Sequence, residues 1–356
     1  MNARGTAVRL VAGLALTFLL GGCAAGASGS PSATPAATAG PSLAVATPTP
    51  RPTPTVVVTP NVAYESANPV LVPGTLDVYA PTRVGPWPVV VMFHGAPGSS
   101  PEIDRAYLGA HARQVADLGF VVFNASWGHV PASDGSEAPD ADGLRAVQSQ
   151  AACAVEFARA KASEFGGDPA TMIVFGHSGG AHAAAMVAFN RPEPTVGCLG
   201  GATLGTIDAL VTWEGNWLLS VSYPDWNGAL AADPGVMDIV TPWRSLPGQA
   251  DLKVVMLVSE HPGTFFECEV GDPWAADSWL AVRDPSGDLR RRLEANGAIT
   301  DGILDFVDVQ QLLYSVLEAQ GNPVSLDVMP DSVHDRLGTA GWPVFLAAFQ
   351  KAAATD

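Results

Sequence analysis

The 356-residue chain has few basic residues, and only three of them, Lys161, Lys253 and Lys351, are lysines. Its 18 lysines and arginines face 35 aspartates and glutamates, which gives a formal net charge of -17. Because a strongly negative surface repels polyanions, this balance argues against nucleic acid or anionic lipid headgroups as partners. It favours solubility and neutral or cationic substrates.

Several motifs of metal and nucleotide chemistry are missing from the sequence. It contains no Cys-x-x-Cys, no His-Glu-x-x-His and no phosphate-binding glycine-rich loop. We therefore expect neither a metal nor a cofactor.

The first 23 residues have the pattern of an export signal. Arg4 and Arg9 precede an apolar stretch, Leu10 to Leu20, that is too short to span a membrane comfortably. The following Leu20-Gly21-Gly22-Cys23 resembles a bacterial lipobox, which implies a signal peptide over residues 1–22 and a lipidated Cys23. We expect an exported lipoprotein, cell-surface or periplasm-facing, that meets the membrane through this anchor only. The alternative is a plain secretory signal and a secreted protein.

Residues 23–62 are rich in Ala, Pro, Thr and Ser and predict a disordered tether, since such a segment buries too little apolar surface to offset its ordering entropy. The remainder, residues 63–356, is long enough for one large domain. The 47% apolar composition of the chain supports a sizeable core.

Short apolar runs alternate with helical segments along this domain. Unbroken apolar strands separated by helices predict an α/β class with a mostly parallel central sheet and helices on both faces. Two irregular, tryptophan-rich stretches, at about 207–250 and 262–300, are predicted to be lid-like insertions. The predicted strands are 89–93, 120–123, 172–175, 200–204, 254–258 and 325–329, and the predicted helices are 107–118, 144–165, 181–189, 307–320 and 342–353.

The most informative motif is Gly176-His177-Ser178-Gly179-Gly180, which lies between a predicted strand and a predicted helix. A Gly-x-Ser-x-Gly turn in this context strains the serine backbone and points its hydroxyl out of the sheet. Ser178 is therefore a candidate nucleophile. A serine hydroxyl needs a base, and His334 fits best because it follows the last predicted strand.

Four features of the sequence form a combination: Val91-Met92-Phe93-His94-Gly95, Phe165-Gly166-Gly167-Asp168-Pro169, Gly176 to His182, and His334. Together they resemble the α/β-hydrolase superfamily, and most closely its carboxylesterase and hormone-sensitive-lipase-like or feruloyl-esterase-like branches. The resemblance covers roughly residues 65–352 and implies an α/β-hydrolase fold. It also implies an oxyanion hole formed by the backbone N–H groups of Gly179 and Ala96, although Pro97 departs from the family's usual His-Gly-Gly-Gly turn.

The carboxylate that orients His334 is the least determined part of this constellation. Asp301 is favoured, because Asp301-Gly302-Ile303-Leu304 leads into a helix as the family's acid-containing turn does. Glu260 is the alternative, since it lies near the end of the penultimate strand. Asp305 is a third option, with a helix N-cap as its other interpretation.

Export places the cysteines in a compartment where disulfides persist. Cys153 and Cys198 are the favoured pair, because the helix before the nucleophile strand and the chain after the nucleophile helix are expected to be neighbours. Either of them could instead pair with Cys268.

The expected function is hydrolysis of small-molecule carboxylic esters through an acyl-enzyme, with Ser178 as nucleophile, His334 as base and Asp301 as acid. A peptidase or amidase of the same fold is one alternative. A non-catalytic surface binding protein is the other. No nucleic acid or protein partner is implied.

Overall fold

The structure is a computed structural model that describes residues 56–66, 71–95, 104–128, 141–215, 246–261, 291 and 306–354. Several predictions fall outside these residues. They are the signal peptide with Cys23, the oxyanion residue Ala96, Cys268, the candidate acids Asp301 and Asp305, and most of both insertions.

The described strands form one eight-stranded sheet in the order β1-β2-β4-β3-β5-β6-β7-β8. Strand β2 is antiparallel to both of its neighbours, and all other pairs are parallel. The strands are β1 (Val56–Ala63), β2 (Thr75–Pro81), β3 (Trp87–Phe93), β4 (Val121–Ala125), β5 (Gly167–His177), β6 (Ala209–Trp213), β7 (Lys253–His261) and β8 (Val324–Val333).

Helices cover both faces of this sheet. Alternate residues of β3 point to opposite sides, so that Val89 and Val91 join one core cluster while Val90 and Met92 join the other. Helices α2, α3 and α4 pack on the first face, and α1 and α5 pack on the second. The helices are α1 (Gly109–Asp117), α2 (Ala141–Lys161), α3 (Gly179–Ala185), α4 (Phe306–Gln320) and α5 (Gly341–Ala353).

The predicted α/β class is therefore confirmed, but the assignment of residues 200–204 to a strand was wrong. That segment is a loop that passes close to α2, since a Cβ on Gly200 would lie 2.3 Å from the backbone nitrogen of Phe157. The strand in this part of the sheet is β6, within the stretch predicted to be an insertion. Its run Ala-Leu-Val-Thr-Trp is fully buried and pairs with β5 on one side and β7 on the other.

The predicted tether, residues 23–62, overlaps a strand of the sheet. Residues Val56–Ala63 form the edge strand β1, so the predicted end of the tether at residue 62 was wrong. The run Val56-Val57-Val58-Thr59 is β-branched, which suits a strand, and it pairs antiparallel with β2 from Val56↔Pro81 onward. Regular structure thus begins before the predicted domain boundary.

The predicted disulfide between Cys153 and Cys198 is present, with a Cα–Cα distance of 5.4 Å. It joins the buried face of α2 to the loop that follows α3 and its continuation to residue 190, as the topology argument required. Within the described ranges, no helix combines the length and the apolar character needed to cross a membrane.

Candidate active site

Ser178 lies at the tight turn between β5 and α3. Its backbone has φ 52° and ψ -121°, a strained conformation for a residue with a Cβ. The flanking glycines make the turn possible: a Cβ on Gly176 would lie 2.0 Å from the carbonyl oxygen of Gly180, and one on Gly180 would lie 2.2 Å from that of Phe93. The turn therefore holds the serine at the carboxyl edge of the sheet, where its side chain is half-buried.

His334 directly follows β8 and reaches the same edge. Its Nε2 lies 3.0 Å from Ser178 Oγ, so the structure brings together the two residues that the sequence predicted to be nucleophile and base. His334 stands at the tip of a short turn in which the backbones of Val333 and Arg336 exchange two hydrogen bonds. A buried Ser332 hydroxyl braces this turn by accepting from the N–H of Gly338 at 3.0 Å.

The carboxylate that meets His334 is Glu214. One of its oxygens, Oε2, is hydrogen-bonded to His334 Nδ1, while Oε1 accepts from the backbone N–H of Ser259 at 2.6 Å. Because a carboxylate only accepts, Nδ1 of His334 carries the proton and Nε2 is left to accept from the hydroxyl of Ser178. The three side chains form a continuous line from hydroxyl to carboxylate.

Local structure fixes Glu214 in this position. It directly follows β6, has φ 48° and is fully buried. The backbone ladder continues past the strand, with the Glu214 N–H donating to Leu257 at 2.9 Å. On the far side of the turn, Gln310 of α4 donates its side-chain N–H to the carbonyl of Gly215. Contacts from the sheet and from helix α4 thus fix the backbone on both sides of Glu214.

The carboxylate on His334 Nδ1 is thus neither of the two predicted acids. Glu260 is exposed, and its Oε2 accepts from the backbone N–H of Asp331 at 2.8 Å, so it supports the end of β8. Asp301 lies outside the described residues, and the Nδ1 position expected for it is taken by Glu214. Sequence reasoning missed Glu214 because residues 207–250 were interpreted as an irregular insertion. The available signal was a buried apolar run, Ala209–Trp213, ending in a carboxylate.

A layer of rings lies beneath the line of three side chains. The His177 ring stacks on Tyr107 at 5.4 Å between centroids, and it lies 4.3 Å from Trp213 and 5.0 Å from His334. Burial, reinforced by the nearby His334, lowers the pKa of His177 well below its usual value. His177 is thus neutral, and its Nε2–H donates to the carbonyl oxygen of His334 at 2.6 Å.

The end of β3 passes beside Ser178. A Cβ on Gly95 would lie 3.2 Å from the Cβ of Ser178, and Trp127 Nε1 donates to the carbonyl of His94 at 3.0 Å. Burial lowers the pKa of His94 to about 4, so its neutral ring donates from Nδ1 to the carbonyl of Gly95 at 2.7 Å.

Gly179 is the first residue of α3 and is buried. N–H groups of a first helical turn have no intrahelical acceptor, and they carry partial positive charge. The N–H of Gly179 therefore meets the chemical requirement of an oxyanion donor. The other predicted donor, Ala96, follows the described end of β3 and lies outside the described residues.

No cluster of three or more His, Cys, Asp or Glu side chains suited to a metal occurs in the part of the chain that the structure describes. The chemistry available there consists of a hydroxyl, an imidazole, a carboxylate and backbone N–H groups.

Comparison with known proteins agrees with this geometry. The family model BD-FAE matches residues 76–210, which run from β2 into β6 and include Ser178. No curated protein matches the sequence significantly.

Solved esterase structures share the fold. The propionate-bound esterase Est2 of the planctomycete Thermogutta terrifontis is 15% identical with a TM-score of 0.53, covering 84% of this chain and 93% of its own. The same esterase phosphoramylated by tabun gives a TM-score of 0.53 at 15% identity, covering 85% of this chain and 95% of its own. A truncated carbohydrate esterase from gut microbiota has a TM-score of 0.55 at 14% identity, covering 85% and 98%. With its strand order and its strained serine turn, the chain has the α/β-hydrolase fold.

Proposed function

We propose that the protein is a serine hydrolase that cleaves carboxylic esters through an acyl-enzyme intermediate. The observation that carries this proposal is the hydrogen-bonded line from Ser178 through His334 to the buried Glu214. A neutral serine hydroxyl is a weak nucleophile, and this line supplies the base and the orienting carboxylate that it lacks.

In the first half-reaction, Ser178 Oγ attacks the ester carbonyl while His334 Nε2 takes its proton. Glu214 holds the Nδ1–H of His334 and stabilises the imidazolium that forms. The N–H of Gly179 then stabilises the tetrahedral oxyanion, together with the N–H predicted at Ala96. A donor of this kind contributes about 10²–10³-fold to kcat.

The tetrahedral intermediate collapses when His334 returns the proton to the leaving alcohol, which leaves the acyl group on Ser178. A water molecule then gives a proton to His334 Nε2 and attacks the acyl carbonyl. When this second tetrahedral intermediate collapses, His334 returns the proton to Ser178 Oγ, which releases the acid and restores the serine.

The structural relatives support an ester as substrate. Est2 is an esterase determined with propionate and with butyrate bound, and it is phosphorylated by paraoxon. Another relative is a carbohydrate esterase. These properties belong to those proteins, and for this chain they favour a test with esters of graded acyl length.

A fluorophosphonate probe tests the proposal directly. We expect the wild-type domain to be labelled at Ser178, and Ser178→Ala to lose both labelling and about 10⁶-fold in kcat. The matched control is Ser163→Ala, which removes a hydroxyl from an exposed position in the short helical turn that follows α2. Equal labelling of wild type and Ser178→Ala would refute the assignment. Nitrophenyl esters compared with peptide amides separate an esterase from a peptidase.

We also propose that the protein is exported and anchored at the membrane through a lipidated Cys23. The lipobox-like Leu20-Gly21-Gly22-Cys23 and the apolar stretch before it support this. Metabolic labelling with a fatty acid and membrane fractionation should lose their signals in Cys23→Ala. Release of an active protein into the medium by the wild type would indicate the plain secretory alternative.

A further inference from the structure

The tip of the turn that carries His334 has two carbonyl groups outside the sheet ladder. Val333 and Arg336 pair with each other, which leaves His334 and Asp335 between them. Their carbonyl oxygens accept hydrogen bonds from side chains instead. His177 Nε2 donates to His334 at 2.6 Å, and the Tyr107 hydroxyl donates to Asp335 at 2.7 Å.

These two donors form a single unit. The rings of His177 and Tyr107 stack at 5.4 Å with an interplanar angle of 29°. His177 directly precedes Ser178 in the chain, and Tyr107 belongs to the short helical turn before α1. The turn that carries His334 is therefore held by the residue before Ser178 and by one from the helical turn before α1.

The remaining contacts of His177 limit its movement and define its tautomer. Because a carbonyl only accepts, Nε2 carries the proton. Nδ1 of His177 has no hydrogen-bond partner among the described residues, as suits the unprotonated nitrogen. It packs close to Gly95, since a Cβ on Gly95 would lie 3.2 Å from this nitrogen. With Trp213 on another side at 4.3 Å, the ring has little freedom to tilt.

We infer that His177 is a positioning residue that holds His334, through its backbone carbonyl, at the distance and angle from Ser178 and Glu214 that proton transfer needs. Tyr107 assists by holding the next carbonyl of the same turn. This inference rests on the proposed hydrolase function. In the described residues, the ring nitrogens of His177 make no hydrogen bond to Ser178 or Glu214.

The environment of His177 suits this task. Burial keeps its ring neutral, so it adds no positive charge beside His334 when that ring becomes an imidazolium. A charged ring 5.0 Å away would oppose the same proton transfer. A neutral His177 therefore donates its hydrogen bond without opposing the protonation of His334.

Two substitutions at this position separate its hydrogen bond from its packing. His177→Phe keeps a ring between Tyr107 and Trp213 but removes the N–H. His177→Gln removes the ring but retains an amide N–H at a similar distance from the backbone. We expect His177→Phe to lower kcat about 10²-fold, the loss that a displacement near 1 Å produces, with KM within about twofold. His177→Gln should recover about tenfold of that loss.

His111 offers a matched control. It is also a buried histidine of this aromatic layer, with its ring 5.6 Å from Trp213 and 4.9 Å from Trp342. Its ring also lies 6.1 Å from that of Tyr107, and neither of its nitrogens is hydrogen-bonded to the His334 turn in the described part of the chain. His111→Phe therefore makes the same side-chain replacement without removing a hydrogen bond to that turn, and we expect its kcat to stay within about twofold of wild type.

A spectroscopic readout distinguishes positioning from general packing. The proton between His334 Nδ1 and Glu214 should give the most downfield proton resonance of the wild type. We expect this signal to broaden or disappear in His177→Phe, to return in His177→Gln, and to be unchanged in His111→Phe. Tyr107→Phe should lower kcat less, by about three- to tenfold, because it frees only the neighbouring carbonyl.

The inference is overturned if His177→Phe and His111→Phe lose the same activity, if the loss lies in KM, or if folded His177→Gln recovers nothing. Should His177→Phe fail to fold, His177→Gln and Tyr107→Phe decide the matter through kcat and the downfield resonance. Wild-type activity and probe labelling at Ser178 establish the proposed function separately, so a failure of the positioning role leaves that function intact.

Discussion

Replacing Glu214 by glutamine should stop catalysis while preserving the shape of the site. Glu214 Oε1 accepts from the N–H of Ser259 at 2.6 Å, so in Glu214→Gln the amide oxygen stays on that donor. The opposite orientation would set the amide N–H₂ against the N–H of Ser259. The amide nitrogen consequently faces His334 Nδ1.

The consequence for His334 follows from hydrogen-bond chemistry. Because the amide N–H₂ of the glutamine is a donor, His334 Nδ1 must accept a hydrogen bond from it and cannot carry a proton. The proton of the neutral ring therefore moves to Nε2. That nitrogen lies 3.0 Å from Ser178 Oγ and no longer accepts the serine's proton. A wrong tautomer of this kind costs about 10⁴-fold in kcat, which corresponds to about 5.4 kcal/mol of transition-state stabilisation.

Nitrophenyl ester hydrolysis by wild type and Glu214→Gln measures this loss, with the rate of fluorophosphonate labelling as a second readout and thermal unfolding as the check on folding. The controls are Asp301, which the sequence favoured, and Glu260, its alternative. Glu260→Gln removes an exposed carboxylate that accepts from the N–H of Asp331, and we expect less than about threefold change in kcat. Asp301→Asn is measured beside it.

Two results would refute this reasoning. One is a folded Glu214→Gln protein with activity within about threefold of wild type. The other is a loss in Asp301→Asn that exceeds the loss in Glu214→Gln, because that would place the functional carboxylate on the segment first predicted.

Three further predictions concern stability. Gly180→Ala places a Cβ 2.2 Å from a backbone carbonyl of β3 and should cost about 3 kcal/mol or more in a denaturant titration, whereas Gly248→Ala, with nothing within 4 Å, should be nearly neutral. The Cys153–Cys198 disulfide spans 45 residues, so Cys153→Ser with Cys198→Ser should lower the free energy of unfolding by about 4 kcal/mol; an unchanged Tm would contradict this. Burial lowers the pKa of His111 to about 4 from 6.5. The unfolded chain therefore binds a proton that the folded chain does not, and the free energy of unfolding decreases as the pH falls below 6.5, by about 2 kcal/mol at pH 5. His111→Phe should remove this decrease between pH 8 and pH 5; parallel stability curves for the two proteins would show that the buried ring is not responsible.

Features that depend on short stretches of chain were predictable from the sequence. The turn around Ser178 is specified by the two glycines whose missing Cβ atoms allow the backbones of β5, α3 and β3 to meet. His334 could be placed because it follows the last strand of an alternating pattern, and parallel strands end at one edge. The Cys153–Cys198 pair followed from the same topology.

The errors lie where several local interpretations were equally good. Residues 200–204 and 209–213 are both short and largely apolar or small, and only the pairing of β6 with β5 and β7 shows which one joins the sheet. The edge strand β1 was hidden because its Val-Thr run follows a long Pro- and Thr-rich stretch, and its partner β2 lies beyond a loop.

The sequence by itself therefore determined the fold class, the tight turn at Ser178 and the place of His334 at the same sheet edge, since each is required by backbone sterics or by strand order. Only the tertiary structure decided which carboxylate serves His334. Acidic residues follow or end more than one strand at this edge, and the choice depends on reach and burial. Among these acidic residues, Glu214 is fully buried, has a positive φ and accepts a hydrogen bond from the N–H of Ser259.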